Sequence, residues 1–161
     1  MANLDYGCNF GYPADATSVK LKVQRLNTDL PLPEYANIGD AGMDLRACED
    51  IVLQPLQRAL VATGLKVAIP EGYAGFVLPR SGLAAKQGLS LVNSPGLIDS
   101  HYRGELKVIA INTDVSVPIT IAKGDRFAQM VILPVPQVEL LEVTSLDETE
   151  RGEGGFGSTG I

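Results

Sequence analysis

The chain has 161 residues, a formal net charge of −6 at pH 7 and a hydrophobic fraction of 45%. This length fits a single domain, and the apolar fraction excludes an intrinsically disordered chain. The acidic balance argues against a protein that coats nucleic acid or a membrane surface, because those partners are polyanions, but it leaves room for one small anionic ligand in a local basic pocket.

The first 18 residues combine glycine, proline and aromatic side chains, without a basic region followed by an apolar stretch. This pattern predicts no signal peptide and a poorly ordered N-terminal arm, or an arm whose aromatic residues dock on a neighbouring subunit. No run of 18 apolar residues follows, so no transmembrane helix is expected. The two cysteines, Cys8 and Cys48, are too few for a disulfide framework or a paired-cysteine metal site, which favours free thiols in a cytoplasmic protein.

Alternating apolar and polar residues predict half-buried strands along the chain. The alternation covers 19–24, 65–69 and 115–121, and short apolar runs at 75–78, 106–111 and 130–133 fit strands buried on both faces. One short helix is predicted over Ser81–Gln87, with Ser81 as its cap and Gly88 as its stop. Many short strands with a single helix indicate an all-β sandwich, barrel or jelly roll.

After Leu146 the composition becomes acidic and then glycine-rich. The chain is therefore predicted to divide into an N-terminal arm over 1–18, a core domain over 19–146 and a flexible C-terminal tail over 147–161. Such a tail is often only a solvated linker, but this one carries an arginine, a phenylalanine and a Ser-Thr pair that could bind a ligand.

One loop has the chemistry of an anion site. Arg80, Ser81 and Gly82 stand at the start of the predicted helix, where backbone N–H groups, a hydroxyl and a guanidinium can point at one anion. The tail offers further donors from Arg151 and the Ser158-Thr159 pair. His101, the single histidine, shows no zinc-ligand spacing with the scattered carboxylates.

Five segments, taken together, resemble the five motifs of the trimeric dUTPase family in order and spacing, and the resemblance runs from about residue 19 to 160. They are AGMDLRA at 41–47, PRSGLAAKQG at 79–88, NSPGLIDSHYRGELKV at 93–108, KGDRFAQMVILP at 123–134 and RGEGGFGSTG at 151–160. The resemblance implies a distorted jelly-roll or β-barrel subunit with one short helix. It also implies a homotrimer with active sites at the subunit interfaces.

The resemblance implies an enzyme, a dUTP diphosphatase, with Asp99 as its general base. Asp99 would polarise a water molecule that attacks the α-phosphorus of dUTP, giving dUMP and pyrophosphate. The cofactor implied is Mg²⁺ held by the substrate phosphates and water, with no direct protein ligand. The product would supply dTMP synthesis, and hydrolysis would keep uracil out of DNA. The implied location is the cytoplasm, with no nucleic-acid or membrane partner.

The resemblance also assigns the residues that read the base and the sugar. Asn93 and the backbone of the hairpin at Gly96, Leu97 and Ile98 match the groups that pair with uracil. Cytosine would present an amino donor where an acceptor is needed, and buried groups would stay unpaired. Tyr102 matches the tyrosine whose ring leaves no room for a ribose 2′-hydroxyl, and Lys107 falls at a substrate-contacting position.

The phosphate-binding assignments come from the other motifs. Arg80, Ser81 and Gly82 match the phosphate loop, and Gln129 matches the glutamine beside the α-phosphate. Asp44 and Arg126 match a supporting polar network. In the tail, Phe156 matches the aromatic residue that stacks on uracil, and the γ-phosphate contacts match Arg151, Gly157, Ser158 and Thr159.

Structural alternatives stay open for these residues. Asp99 could cap a turn, Tyr102 could serve packing, Asp44 and Arg126 could form a plain salt bridge, and His101 could be a solvated loop residue. Two other functions are also weighed. A dCTP deaminase, or a bifunctional deaminase and dUTPase, would carry a glutamate ten residues after Asp99, where this chain has Ile109. A non-catalytic dUTPase-like β-sandwich would have no need of an intact site.

Overall fold

The computed structural model describes residues 19–155, which form ten strands and one helix. The strands are β1 Lys22–Arg25, β2 Met43–Arg46, β3 Ile51–Leu53, β4 Arg58–Ala68, β5 Tyr73–Pro79, β6 Leu89–Leu91, β7 Gly96–Ile98, β8 Glu105–Asn112, β9 Ile119–Ile121 and β10 Arg126–Pro134. The helix, α1, spans Ser81–Gln87. The prediction of an all-β jelly-roll fold with one short helix is confirmed.

The strands form two four-stranded antiparallel sheets, in the orders β1-β4-β8-β6 and β2-β10-β5-β7, and a two-stranded sheet of β3 and β9. The run at 106–111, predicted as a strand buried on both faces, is strand β8 with a period of two, because alternate residues from Leu106 to Asn112 are buried while Lys107 is exposed. The prediction of two buried faces is therefore wrong for β8. Side chains from all three sheets meet in one hydrophobic core, in which Leu45, Leu53 and Phe127 are almost fully buried.

Three strand predictions are corrected in extent. The strand predicted over 65–69 is the end of the longer β4, the strand predicted over 19–24 covers Lys22–Arg25, and the strand predicted over 115–121 covers only Ile119–Ile121. In the last case a local turn replaces the ladder, because the Asp114 carboxylate accepts hydrogen bonds from the N–H groups of Ser116 and Val117, each at 2.8 Å. These hydrogen bonds, with the one from Ser116 as the largest cause, hold the pKa of Asp114 below its usual range.

The helix has the predicted bounds but a different cap. Its N-cap is Arg80, whose carbonyl accepts the N–H groups of Leu83 and Ala84, and no side chain caps this end. The prediction that Ser81 is the cap is therefore wrong, and Ser81 is the first helical residue. Gly88 ends the helix as predicted, with a left-handed φ of 71° that favours glycine.

Beyond β10 the described chain runs from 135 to 155 without a strand or helix. Five of its apolar side chains are exposed in this single chain, namely Val138, Leu140, Leu141, Val143 and Leu146. The division at 146/147 stays a prediction, and the predicted arm over 1–18 lies outside the described residues. Within 19–155, no helix is long and apolar enough to cross a membrane.

Cys48 is a free, half-buried thiol. Burial, with smaller contributions from the charges of Glu105 and Glu49, raises the pKa of the Cys48 thiol. The thiol is thus kept protonated and weakly nucleophilic, as a packing residue should be. Cys8 lies outside the described residues.

Candidate active site

Six of the predicted site residues line one open cavity of about 510 Å³, which we call the hairpin cavity. They come from the segment before β7, from β7 and the turn after it, and from β8, and the wall is completed by further side chains of β4 and β8. The predicted residues are Asn93, Leu97, Ile98, Asp99, Tyr102 and Lys107, and the others are Leu60, Glu105 and Ile109. Gly96, also predicted, is buried beneath this wall in β7, opposite Val77 of β5.

The turn between β7 and β8 places Asp99 and Tyr102 side by side. The Tyr102 N–H donates to the Asp99 carbonyl at 3.1 Å, and the Tyr102 hydroxyl donates to the Glu105 carbonyl at 2.9 Å. The Arg103 guanidinium donates to the carbonyls of Ser100 and Tyr102 at 2.6 and 2.7 Å, which closes the turn from the other side. His101 is exposed and lines neither this cavity nor the one described below.

Glu105 is a member of this cavity that the sequence analysis missed. Its carboxylate accepts the Gly64 N–H at 3.1 Å and lies 3.5 Å from the Lys107 ammonium. Both residues stand on the same face of β8, since Leu106 between them points into the core. The alternation around Leu106 was the available signal, because it puts residues 105 and 107 on one face.

The predicted phosphate-binding residues line a second cavity of about 660 Å³, which we call the arginine cavity. It is formed by the ends of β2, β5 and β10 and the first turn of α1. Asp44, Arg80, Ser81, Gly82 and Gln129 lie in its wall, together with residues that were not predicted, among them Asn37, Asp40 and Lys86.

The Asp44 carboxylate pairs with two arginines, Arg80 in the wall of the arginine cavity and Arg126, which lines a neighbouring pocket together with Arg80. The Asp44 Oδ1 lies 2.9 Å from the Arg80 Nε, and its Oδ2 lies 3.0 Å from Nη1 of Arg126. Arg80 also donates to the Arg126 carbonyl at 2.9 Å. The Asp44 side chain is only 11% exposed, so its charge is screened less than that of a surface pair. Asp44, Arg80 and Arg126 thus form one salt-bridge network, and its predicted supporting role at the triphosphate stays a prediction.

Gln129 belongs to the same array through β10, where it stands opposite Asp44 of β2 and Leu78 of β5. Its amide nitrogen donates to the Pro79 carbonyl at 2.9 Å, which leaves the amide oxygen facing Gly42. The cavity therefore presents guanidinium, hydroxyl, ammonium and amide groups, a donor-rich set that suits phosphate oxygens.

The residues around the arginine cavity also indicate how the expected Mg²⁺ could be held. Both oxygens of Asp44 are engaged by arginines, and within residues 19–155 no three His, Cys, Asp or Glu side chains cluster as metal ligands. The arrangement fits an ion whose ligands come mainly from a bound triphosphate and water.

The two cavities have no lining residue in common. The hairpin cavity holds the candidate base Asp99, and the arginine cavity holds the candidate phosphate donors Arg80, Ser81, Gly82 and Gln129. Arg151 lines neither cavity and donates from its Nε to the Gly154 carbonyl at 2.8 Å. The remaining tail predictions, Phe156, Gly157, Ser158 and Thr159, lie outside the described residues.

Comparison with known proteins gives one consistent result. A family model described as dUTPase matches residues 28–160. The deoxyuridine 5'-triphosphate nucleotidohydrolase of Thermobifida fusca is 53% identical over 143 residues, which cover 89% of this chain and 80% of that protein. The protein of the same name from Mycolicibacterium gilvum is 56% identical over 148 residues, covering 89% and 96%.

Solved structures agree with the sequence relatives. The dUTPase of Staphylococcus bacteriophage 80alpha with dUpNHpp superposes with a TM-score of 0.82 at 32% identity, covering 89% of this chain and 100% of that one. A variant dUTPase from phage phi11 of S. aureus, described with a structural Mg(II) ion, gives a TM-score of 0.74 at 29% identity and covers 81% and 100%.

Proposed function

Because the chain belongs to the dUTPase family and is an enzyme that hydrolyses dUTP, we propose that Asp99 is the general base of this hydrolysis. Its carboxylate polarises a water molecule, which attacks the α-phosphorus in line, so that dUMP forms and pyrophosphate leaves. The observation that carries this role is the position of Asp99, exposed in the wall of the hairpin cavity next to Tyr102. Within the described chain no cation pairs with Asp99, so its oxygens are available to water.

The hairpin cavity takes the base and the sugar. The Asn93 amide and the backbone from Gly96 to Ile98 pair with the carbonyls and N3–H of uracil. The Tyr102 ring lies under the deoxyribose, where a 2′-hydroxyl would collide with it. Lys107, with its ammonium beside Glu105, contacts the substrate from β8.

The arginine cavity takes the triphosphate. Arg80, Ser81 and Gly82 donate to phosphate oxygens, and Gln129 contacts the α-phosphate. Asp44 holds Arg80 and Arg126 in place through the ion pairs described above. A bound Mg²⁺, held by the phosphates and water, would offset negative charge on the triphosphate.

Each complete site combines two subunits of a homotrimer. In this proposal the substrate meets both sets where the hairpin cavity of one subunit faces the arginine cavity of the next, and the separate lining of the two cavities in a single chain supports it. The tail over 147–161 then closes over the substrate, with Phe156 stacking on uracil and Arg151, Gly157, Ser158 and Thr159 contacting the γ-phosphate. The enzyme acts in the cytoplasm, keeps uracil out of DNA and supplies dUMP for dTMP synthesis.

A substrate panel tests this function. Purified protein with Mg²⁺ is incubated with dUTP, dCTP, UTP or dTTP, and pyrophosphate and ammonia are measured. Pyrophosphate from dUTP alone is expected. Ammonia from dCTP would instead identify a deaminase, although Ile109, the residue of the hairpin cavity at the position of the deaminase glutamate, cannot transfer protons. If no nucleotide is turned over, the result would instead identify a non-catalytic dUTPase-like module.

Subunit complementation gives a sharper prediction for the interfacial site. Asp99→Asn damages the hairpin half of each site, and Arg80→Ala damages the arginine half. In any mixed trimer of the two variants, one of the three interfaces joins two intact halves. Mixed trimers, co-expressed with two tags and purified on both, are therefore expected to recover about one third of wild-type kcat, whereas each variant alone is nearly inactive.

A matched pair on one half serves as the control. Asp99→Asn mixed with Tyr102→Ala places both defects in the hairpin cavity, so every interface receives a damaged hairpin half, and the mixed trimer should not exceed the kcat of Tyr102→Ala alone. Recovery by this control pair, or none by the Asp99→Asn and Arg80→Ala pair, would contradict a site shared between subunits.

A further inference from the structure

Gly104 lies directly against the ring of Tyr102. A Cβ atom built on Gly104 would collide with the Tyr102 hydroxyl oxygen and would stand 2.6 Å from Cζ and 2.9 Å from Cε2 of the same ring. All three of its nearest neighbours are thus atoms of Tyr102.

The backbone does not require glycine at this position. Gly104 is absent from the residues with a left-handed φ within 19–155, unlike Gly64 or Gly88. Alanine could therefore adopt the same backbone conformation without strain. The need for glycine at 104 arises from the Tyr102 ring.

Two further hydrogen bonds within the same turn fix the position of Tyr102. The Tyr102 hydroxyl donates to the Glu105 carbonyl, one residue beyond Gly104, so the ring crosses over the glycine to reach its acceptor. The Tyr102 N–H is bound to the Asp99 carbonyl. The ring is 43% exposed and lines the hairpin cavity with its free face.

From this geometry we infer that Gly104 is a specificity-determining residue. It sets the position of the Tyr102 ring in the hairpin cavity, and the position of the ring sets the preference for a deoxyribose over a ribose. This inference rests on the proposed role of Tyr102 beneath the sugar. Gly104 touches no substrate and is a positioning residue that acts through Tyr102.

Contact distances set the size of the effect. Non-bonded carbon atoms pack best at about 3.5–4.0 Å, so an alanine methyl would displace the ring by roughly 1 Å and break its hydrogen bond to Glu105. A displacement of this size in a positioning residue can cost about 100-fold in rate.

The test compares Gly104→Ala with the wild-type enzyme on dUTP and UTP. We expect kcat/KM for dUTP to fall, and the ratio of kcat/KM for dUTP over UTP to fall by about tenfold or more. A purely structural role would lower the thermal unfolding temperature but would leave this ratio unchanged.

A double-mutant cycle with Tyr102→Ala tests whether Gly104 acts through the Tyr102 ring. With the ring removed, Gly104→Ala meets no obstacle, so it should change neither the unfolding temperature nor the dUTP/UTP ratio of the Tyr102→Ala enzyme. In the wild-type background it should lower both. This unfolding comparison needs no catalysis, and the double variant provides a folded protein if Gly104→Ala alone is unstable.

The outcomes distinguish this inference from the proposed function. A wild-type preference for dUTP that survives Gly104→Ala overturns this inference alone. Equal effects of Gly104→Ala with and without the Tyr102 ring also overturn it, because the glycine would then act elsewhere. A wild-type enzyme that hydrolyses UTP as readily as dUTP overturns the proposed role of Tyr102, and this inference with it.

Discussion

Replacement of Asp99 by asparagine is expected to lower kcat for dUTP by about 10³-fold or more, at the upper end of what general-base catalysis contributes. The amide has the shape of the carboxylate but cannot accept a proton from the attacking water. Since Asp99 is exposed and carries no structural ion pair within 19–155, the substitution should leave the fold intact. Pyrophosphate release at saturating dUTP and Mg²⁺ measures the effect.

Binding and a control variant isolate the chemical step. The dissociation constant of a non-hydrolysable imido analogue of dUTP should change by only a few fold in Asp99→Asn. Asp29→Asn makes the same change in net charge at an exposed ion pair with Lys123 and should retain wild-type kcat. A kcat for Asp99→Asn close to the wild-type value would remove Asp99 from the role of base.

The second large effect is expected from Asp44→Asn, with a loss in kcat/KM on the order of 100-fold. Asp44 holds two arginines, one on each carboxylate oxygen. In asparagine one of these oxygens becomes an amide NH₂, which would face a guanidinium N–H group. One arginine must then move, and the phosphate donors lose the geometry that the transition state requires.

An opposing effect has to be weighed against this loss. Removal of a negative charge makes the arginine cavity more positive, which favours a triphosphate. That gain acts on the triphosphate in the ground state and in the transition state alike, so it lowers KM without raising kcat. The loss of geometry is felt in the transition state, so the defect should appear in kcat.

Glu34→Gln is the matched control for Asp44→Asn. It also removes one negative charge and one arginine partner, but the pair between Glu34 and Arg46 is 3.8 Å long and the Glu34 side chain is 68% exposed. Such a pair contributes little. Steady-state kinetics should show wild-type values for Glu34→Gln, and an equal loss in both variants would mean that net charge, and not the geometry around Asp44, controls turnover.

Local patterns in the chain were sufficient for much of the fold. The apolar run at 106–111 located β8, and Gly88 marked the end of α1 because few other residues adopt a left-handed φ. The errors occurred where side chains compete with the backbone. Asp114 captures the N–H groups that would have extended β9, and the helix begins without the side-chain cap that Ser81 was predicted to supply.

The sequence by itself determined the family, the all-β class, the single helix and the identity of the candidate base, because these depend on residue types at fixed spacing along the chain. Only the tertiary structure decided how those residues are grouped. It joined Asp44 to Arg80 and Arg126, and it brought the Glu105 carboxylate to the N–H of Gly64, 41 residues away in the chain. It also divided the candidate site between two cavities, because strand order and register bring together residues far apart in the chain, and short-range spacing carries no record of either.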